Sequence, residues 1–162
     1  KSLLENIRAA RPNASREEVL KAAHAAQCDD ILAKLPQGLD SVVGTGGVYL
    51  SGGEAQRIAL ARAILKDAPI VVLDEATAFA DPENEHQIQR AFESLVRGKT
   101  VLMIAHRLST VQHADQILVL KDGKIVERGD HPSLLAQSGV YARMWADYQK
   151  SAQWKVGKEC LQ

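Results

Sequence analysis

No sign of charge dominates this sequence. Its 20 Lys and Arg balance its 20 Asp and Glu, so net charge gives no argument for a nucleic acid or an anionic membrane surface as partner. No apolar run approaches the roughly 18 residues that a membrane-spanning helix needs. The opening stretch, KSLLENIRAARPN, has neither the long apolar core nor the small-residue cleavage site of a secretory signal. The two cysteines, Cys28 and Cys160, lie far apart and show no metal spacing. They fit a reduced, cytosolic setting better than a disulfide framework. There is no internal repeat and no low-complexity tract. Also missing is the phosphate cradle G-x-x-x-x-G-K-[ST] that opens into a helix. Gly98-Lys99-Thr100 matches its last residues, but Glu93 stands where the first glycine belongs and a strand pattern follows. Lys99 then reads as a solvated residue entering that strand. GTGGVY fails as a dinucleotide fingerprint, because Tyr49 occupies the last glycine position.

What is present is ordinary globular material, 46% apolar and 25% charged over 162 residues, enough for one domain or most of one. Ser15 to Glu18 (SREE) predicts a capping box opening a helix through VLKAAHAAQ. Asp29 or Asp30 is expected to cap a shorter helix, ILAKL, ending at Pro36 and Gly38. A glycine-rich loop leads to LSGGEAQRIALARAIL, residues 50–65, whose helical pattern puts Ile58, Ala61 and Leu65 on one face and Arg57 and Lys66 on the other. PIVVLDE is a short apolar run ending in two acids, the pattern of a buried parallel strand. Asp81-Pro82 starts a helix with an apolar stripe of Ile88, Phe92 and Leu95, stopped by Gly98. TVLMIAH is a second strand, and ILVLKDGKIVERG a hairpin around Asp122-Gly123. Asp130-His131-Pro132 opens a last long helix carrying Leu134, Leu135, Tyr141 and Trp145, and the tail after Lys150 is weakly patterned.

Two strands joined by a helix are expected to run parallel with a right-handed crossover. Their C-terminal ends then share one edge of the sheet, where α/β proteins bind ligands. Asp74 and Glu75 end the first strand and His106 the second. Adjacent carboxylates are poor neighbours unless a cation shares the site, and magnesium favours carboxylate and phosphate oxygens. One acid could hold the metal while the other activates water; the plainer alternative is that both merely cap the next stretch of chain. The glycines of LSGGE pose a related question, since each costs about 1 kcal/mol against alanine inside a helix. A helix start offers unpaired N–H groups and a partial positive charge. Glycines let an anion approach that backbone, and Ser51 adds a hydroxyl, so the motif fits a phosphate-binding helix N-terminus. A loop requiring positive φ is the competing explanation.

Taken in order, LSGGE (Leu50 to Glu54), IVVLDE, ATAFAD and IAHRLST resemble the signature, Walker B strand, D-loop and switch-histidine loop of ATP-binding cassette (ABC) nucleotide-binding domains. The resemblance covers nearly the whole chain. It implies an α/β chain: a helical signature subdomain over residues 1–66, part of a RecA-like parallel sheet with a C-terminal hairpin and helix over 67–150, and a tail over 151–162. Together these would make an incomplete P-loop NTPase fold. By the same resemblance Asp74 would hold Mg2+ through water, Glu75 would polarise the attacking water and His106 would contact the γ-phosphate of ATP. Ser51, Gly52 and Gly53, with Glu54, would bind the γ-phosphate of ATP held by another subunit, and Asp81 would lie at the dimer interface.

Three positions depart from the family pattern. Glu54 replaces the usual glutamine, a common variant expected to change little. AFAD replaces SALD in the D-loop. SVVGTGG stands where exporter-type members often have TEVGERG, so Val42 and Thr45 lack those acids. The closing HPSLLAQSGVYARMWADYQ resembles exporter-type half-transporters, and ATAFADPENE resembles bacterial members linked to siderophore or iron traffic. The implied protein is an ATPase subunit of a transporter at the cytoplasmic face of a membrane, with a transmembrane domain and a second, identical or different, nucleotide-binding domain as partners. A soluble ABC-type ATPase of DNA repair or translation, or a non-catalytic piece used in assembly, are the competing classes. Without the phosphate cradle, this chain alone is expected to bind ATP weakly, to be inactive, and to self-associate through an exposed apolar edge.

Overall fold

A computed structural model describes residues 1–74, 82–105 and 108–159, the side chains of 82–85 and 151–159 excepted. Two compact units divide the chain, Lys1–Met103 and Ile104–Gln162. The first begins with α1 (Leu3–Arg8), α2 (Arg16–Ala25), α3 (Asp29–Lys34) and a single 3-10 turn, Gly38–Asp40. It continues through α4 (Gly52–Lys66), β1 (Ile70–Asp74) and α5 (Pro82–Val96) into β2 (Thr100–Ile104). The second unit holds α6 (Leu108–Val111), β3 (Ile117–Lys121), β4 (Lys124–Gly129), α7 (His131–Ala136) and α8 (Val140–Glu159). No helix among the described residues is long and apolar enough to cross a membrane.

Local sequence explains most of the helix starts. Ser2 and Glu5, Ser15 and Glu18, and Ser51 and Glu54 each form a reciprocal capping box, which satisfies two otherwise unpaired N–H groups at the start of α1, α2 and α4. Helix α3 differs from expectation: Cys28 is its N-cap, with no side-chain cap bond, and Asp29 and Asp30 fall in its first turn. Burial decides that position. Cys28 is fully buried, and the two acids sit where the helix dipole favours negative charge.

The core of the first unit gathers Leu3, Ile7, Val19, Ala23, Cys28, Ile31, Ile58 and Leu65 around α4. Alanines at 22, 23 and 61 are buried here, and their small side chains let α2 approach α4 closely. Strands β1 and β2 pair. The Thr100 N–H donates to the Pro69 carbonyl at 3.1 Å, which brings the two strand starts side by side and makes the pair parallel. Helix α5, between them, buries Ile88, Ala91 and Leu95. It ends before Gly98, whose φ of 70° turns the chain back. Lys99 is not a solvated residue. Its side chain is 13% exposed and its ammonium lies 3.0 Å from Asp67.

In the second unit β3 and β4 form an antiparallel hairpin closed by Asp122-Gly123. Both turn residues have positive φ, 51° and 74°, as a two-residue hairpin turn demands. The expected single last helix is two. Asp130 caps α7 by accepting the Ser133 N–H, but the chain breaks at Ser138, with φ of 53°, before α8 begins. Glu127 of β4 accounts for the break: its carboxylate accepts N–H bonds from both Val140 and Tyr141 and so starts a new helix. Beneath this corner Ile117, Val119, Leu134 and Tyr141 form the unit's core, with Trp145 packed against it.

Candidate functional site

The turn at Ser51 carries the first set of candidate residues. Ser51 is extended (φ −63°, ψ 164°) and Gly52 opens α4. The Ser51 hydroxyl accepts the Glu54 N–H at 3.3 Å, and the Glu54 carboxylate accepts the Ser51 N–H at 2.7 Å. An accepting hydroxyl keeps its own proton free to donate. Ser51 and Gly52 are exposed, whereas Glu54 is buried.

The glycines answer the question the sequence raised. Neither Gly52 nor Gly53 is among the positive-φ residues, so a loop needing left-handed backbone does not explain them. A Cβ placed on Gly52 would meet nothing within 4 Å, so packing within this chain does not explain that glycine either. Gly52 leaves open space at a helix start, where unpaired N–H groups and the dipole favour an anion.

The rest of α4 holds this turn firmly. Arg57, which the helical pattern puts on the face opposite Ile58, Ala61 and Leu65, is 1% exposed. Its guanidinium pairs bidentately with Asp30 at 2.7 and 2.9 Å and also donates to the Gln27 carbonyl. The Arg57 guanidinium pulls the Asp30 carboxyl below its ordinary value, against the opposing effect of partial burial. Lys34 of α3 reaches Glu54 at 3.0 Å. Burial works against the Glu54 carboxylate, but the Ser51 N–H and the Lys34 ammonium outweigh it and hold Glu54 below its usual range. Arg62 fastens the far part of α4, its Nε donating to the Asn6 carbonyl at 2.9 Å.

Asp74 is the exposed last residue of β1. In a parallel pair the C-terminal ends of both strands point the same way. Glu75, Asp81 and His106 lie outside the described residues. Among the described residues no group of three His, Cys, Asp or Glu side chains could enclose a metal ion. A single exposed carboxylate suits a magnesium ion that keeps most of its ligands as water and phosphate oxygen.

Other candidates resolve into structure. His24 is exposed and 2.7 Å from Asp29. His131 Nδ1 lies 2.7 Å from the Tyr141 hydroxyl, and Tyr141 stacks with Trp145, so these rings are packing. The partnership of Lys34 with Glu54 and of Arg57 with Asp30 was missed from the sequence. The only hint was an acid at position 54 in place of the usual glutamine, with no local feature pointing to a lysine 20 residues earlier.

A helix start with an exposed serine and glycine and a parallel strand pair ending in an acid are features of nucleotide-handling α/β proteins. The comparisons with known proteins agree. Residues 2–78 match the family model for the ABC transporter. The chain is 56% identical over 144 residues, 89% of its length, to the mycobactin import ATP-binding/permease protein IrtA of Mycolicibacterium thermoresistibile, covering 16% of that protein. It is 54% identical over 144 residues to the ATP-dependent lipid A-core flippase of Legionella pneumophila, again 89% of this chain and 24% of the relative. A solved structure of a bacterial Atm1-family ABC exporter with ATP bound superposes with a TM-score of 0.77 at 45% identity, over 90% of this chain and 26% of that one. The chain therefore spans about a quarter or less of these relatives. Its fold is that of a portion of a P-loop NTPase. Residues 2–78 thus belong to the ABC transporter family, and the similarity to its members extends over 89% of the chain.

Proposed function

We propose that this chain is part of the ATP-hydrolysing subunit of an exporter-type ABC transporter, coupling ATP binding and hydrolysis between two nucleotide-binding domains to transport across a membrane. The observation that carries the reading is the α4 start: two glycines in ordinary helical backbone, the first with open space around it, capped by an exposed serine. In that role Ser51, Gly52 and Gly53, with Glu54 behind them, grip the γ-phosphate of ATP held by the facing domain. Residues 1–66 thus supply the contact across the dimer, and residues 67–150 part of the ATPase core. Glu75 takes a proton from the attacking water as the oxygen bonds to the γ-phosphorus and ADP leaves. His106 donates a hydrogen bond to a γ-phosphate oxygen, and Asp81 lies at the domain–domain interface. Asp74 fits Mg2+ held through water; when bound, the ion neutralises phosphate charge. The partners are a transmembrane domain and a second nucleotide-binding domain, and this part of the transporter works at the cytoplasmic face of the membrane.

The test uses the full-length transporter. Glu75→Gln should lower kcat for ATP about 100-fold or more while ATP still binds, the usual loss when a general base is removed. Ser51→Ala should raise KM. Hydrolysis undisturbed by Glu75→Gln, with unchanged ATP affinity in Ser51→Ala, would overturn the reading.

A further inference from the structure

Glu54 brings a negative charge to within one helical turn of the backbone proposed to receive a phosphate. Its carboxylate is folded inward, with the side chain 10% exposed. Both oxygens are engaged, one by the Ser51 N–H at 2.7 Å and the other by the Lys34 ammonium at 3.0 Å. Lys34 itself is 64% exposed and comes from α3, a different element. Its position therefore serves no core packing, and its ion pair is its visible engagement with α4. A glutamine at position 54 could make the same bond to the Ser51 N–H without charge. With glutamate there, an incoming anion meets repulsion unless a cation balances it.

We propose that Lys34 is a positioning residue of the signature turn: it neutralises Glu54 and holds it in the capping box, so that the turn can accept a phosphate despite the acid. This rests on the reading that Ser51 and its glycines contact the γ-phosphate of ATP. Lys34 touches neither ATP nor the attacking water in this role. It acts through Glu54, and it belongs with that glutamate as a unit.

The experiment measures Mg-ATP hydrolysis by the full-length transporter. Lys34 is exposed, so replacing it leaves the core intact. Lys34→Met should raise KM for ATP about threefold to tenfold, the effect of weakening binding by a partly screened charge, with kcat changed less than about twofold. Lys34→Arg should restore KM. In a Glu54→Gln background the Lys34→Met replacement should move KM by less than about twofold, because no charge remains to balance. A structural role for Lys34 would not depend on the residue at 54. The proposal is overturned if Lys34→Met leaves KM unchanged, or if it raises KM equally in the Glu54→Gln background. Ser51→Ala separates the two levels: if it raises KM while Lys34→Met is silent, only the role of Lys34 fails. If Ser51→Ala is itself silent, the phosphate contact fails and the role of Lys34 with it.

Discussion

Arg57 is the residue on which the first unit's helices depend most visibly. A guanidinium that is 1% exposed is tolerable because Asp30 and the Gln27 carbonyl receive it. The pair is asymmetric, for the Asp30 side chain is 53% exposed. Removing the aspartate strands a buried cation, whereas removing the arginine releases an acid that water can solvate. Asp30→Ala should therefore cost about 3–5 kcal/mol, and Arg57→Ala somewhat less, in urea unfolding of the chain. The pH dependence has a definite sign. Arg57 lowers the Asp30 carboxyl in the folded chain, so its contribution is complete above the unfolded value of about 4 and fades as pH falls through the lower folded value. The stability gap between the parent and Arg57→Ala should narrow in acid over that window. A gap that stays constant down to the acid unfolding limit would contradict the pairing. None of this was legible in the sequence. On the helix Arg57 stands between Gly53, Glu54, Leu60 and Ala61, none of which points to a partner, and the acid it pairs with is 27 residues away.

At the scale of elements, short-range chemistry was readable and long-range chemistry was not. The caps at Ser15, Ser51 and Asp130 use partners three residues away, and the Asp122-Gly123 turn needs only its own two residues. The starts at Ser15 and Asp130 and the turn were read from the sequence; the Ser51–Glu54 box follows the same local pattern but was not singled out. The division between α7 and α8 was hidden, because Leu134, Leu135, Tyr141 and Trp145 keep a helical spacing across it. The deciding group, Glu127, belongs to a strand. Its carboxylate takes the first N–H groups of α8, and a Cβ on Gly139 would collide with it. Glu127→Ala should cost about 1–2 kcal/mol through the lost charge-assisted cap. Gly139→Ala should also destabilise the second unit, but less in the Glu127→Ala background, where the collision is gone. Thermal melts of the two single variants and the double variant check this; strictly additive losses would contradict the contact. At the candidate site, the signature turn was likewise legible because it is contiguous. The Lys34–Glu54 pair was not, since it joins two helices.

For the chain as a whole, the β1–β2 pair leaves apolar residues uncovered. Ile70 and Val72 alternate on one strand and are 62% and 64% exposed, and Leu102 on the other is 55% exposed. Contiguous apolar surface of this kind promotes association. The 162-residue chain should show light scattering that rises with concentration, and Val72→Lys with Leu102→Lys should reduce it. A monomer at high concentration before any substitution would contradict the expectation.

The division into two units has an optical consequence. Both tryptophans, Trp145 and Trp154, fall in α8 of the second unit; the first has none. Indole emission thus reports on Ile104–Gln162 alone. The first unit carries its own reporter in Cys28, whose thiol burial pushes up to about 12, leaving it inert to alkylation until that core opens. With Cys160 replaced by serine, the two signals follow the two halves of the chain independently in one sample.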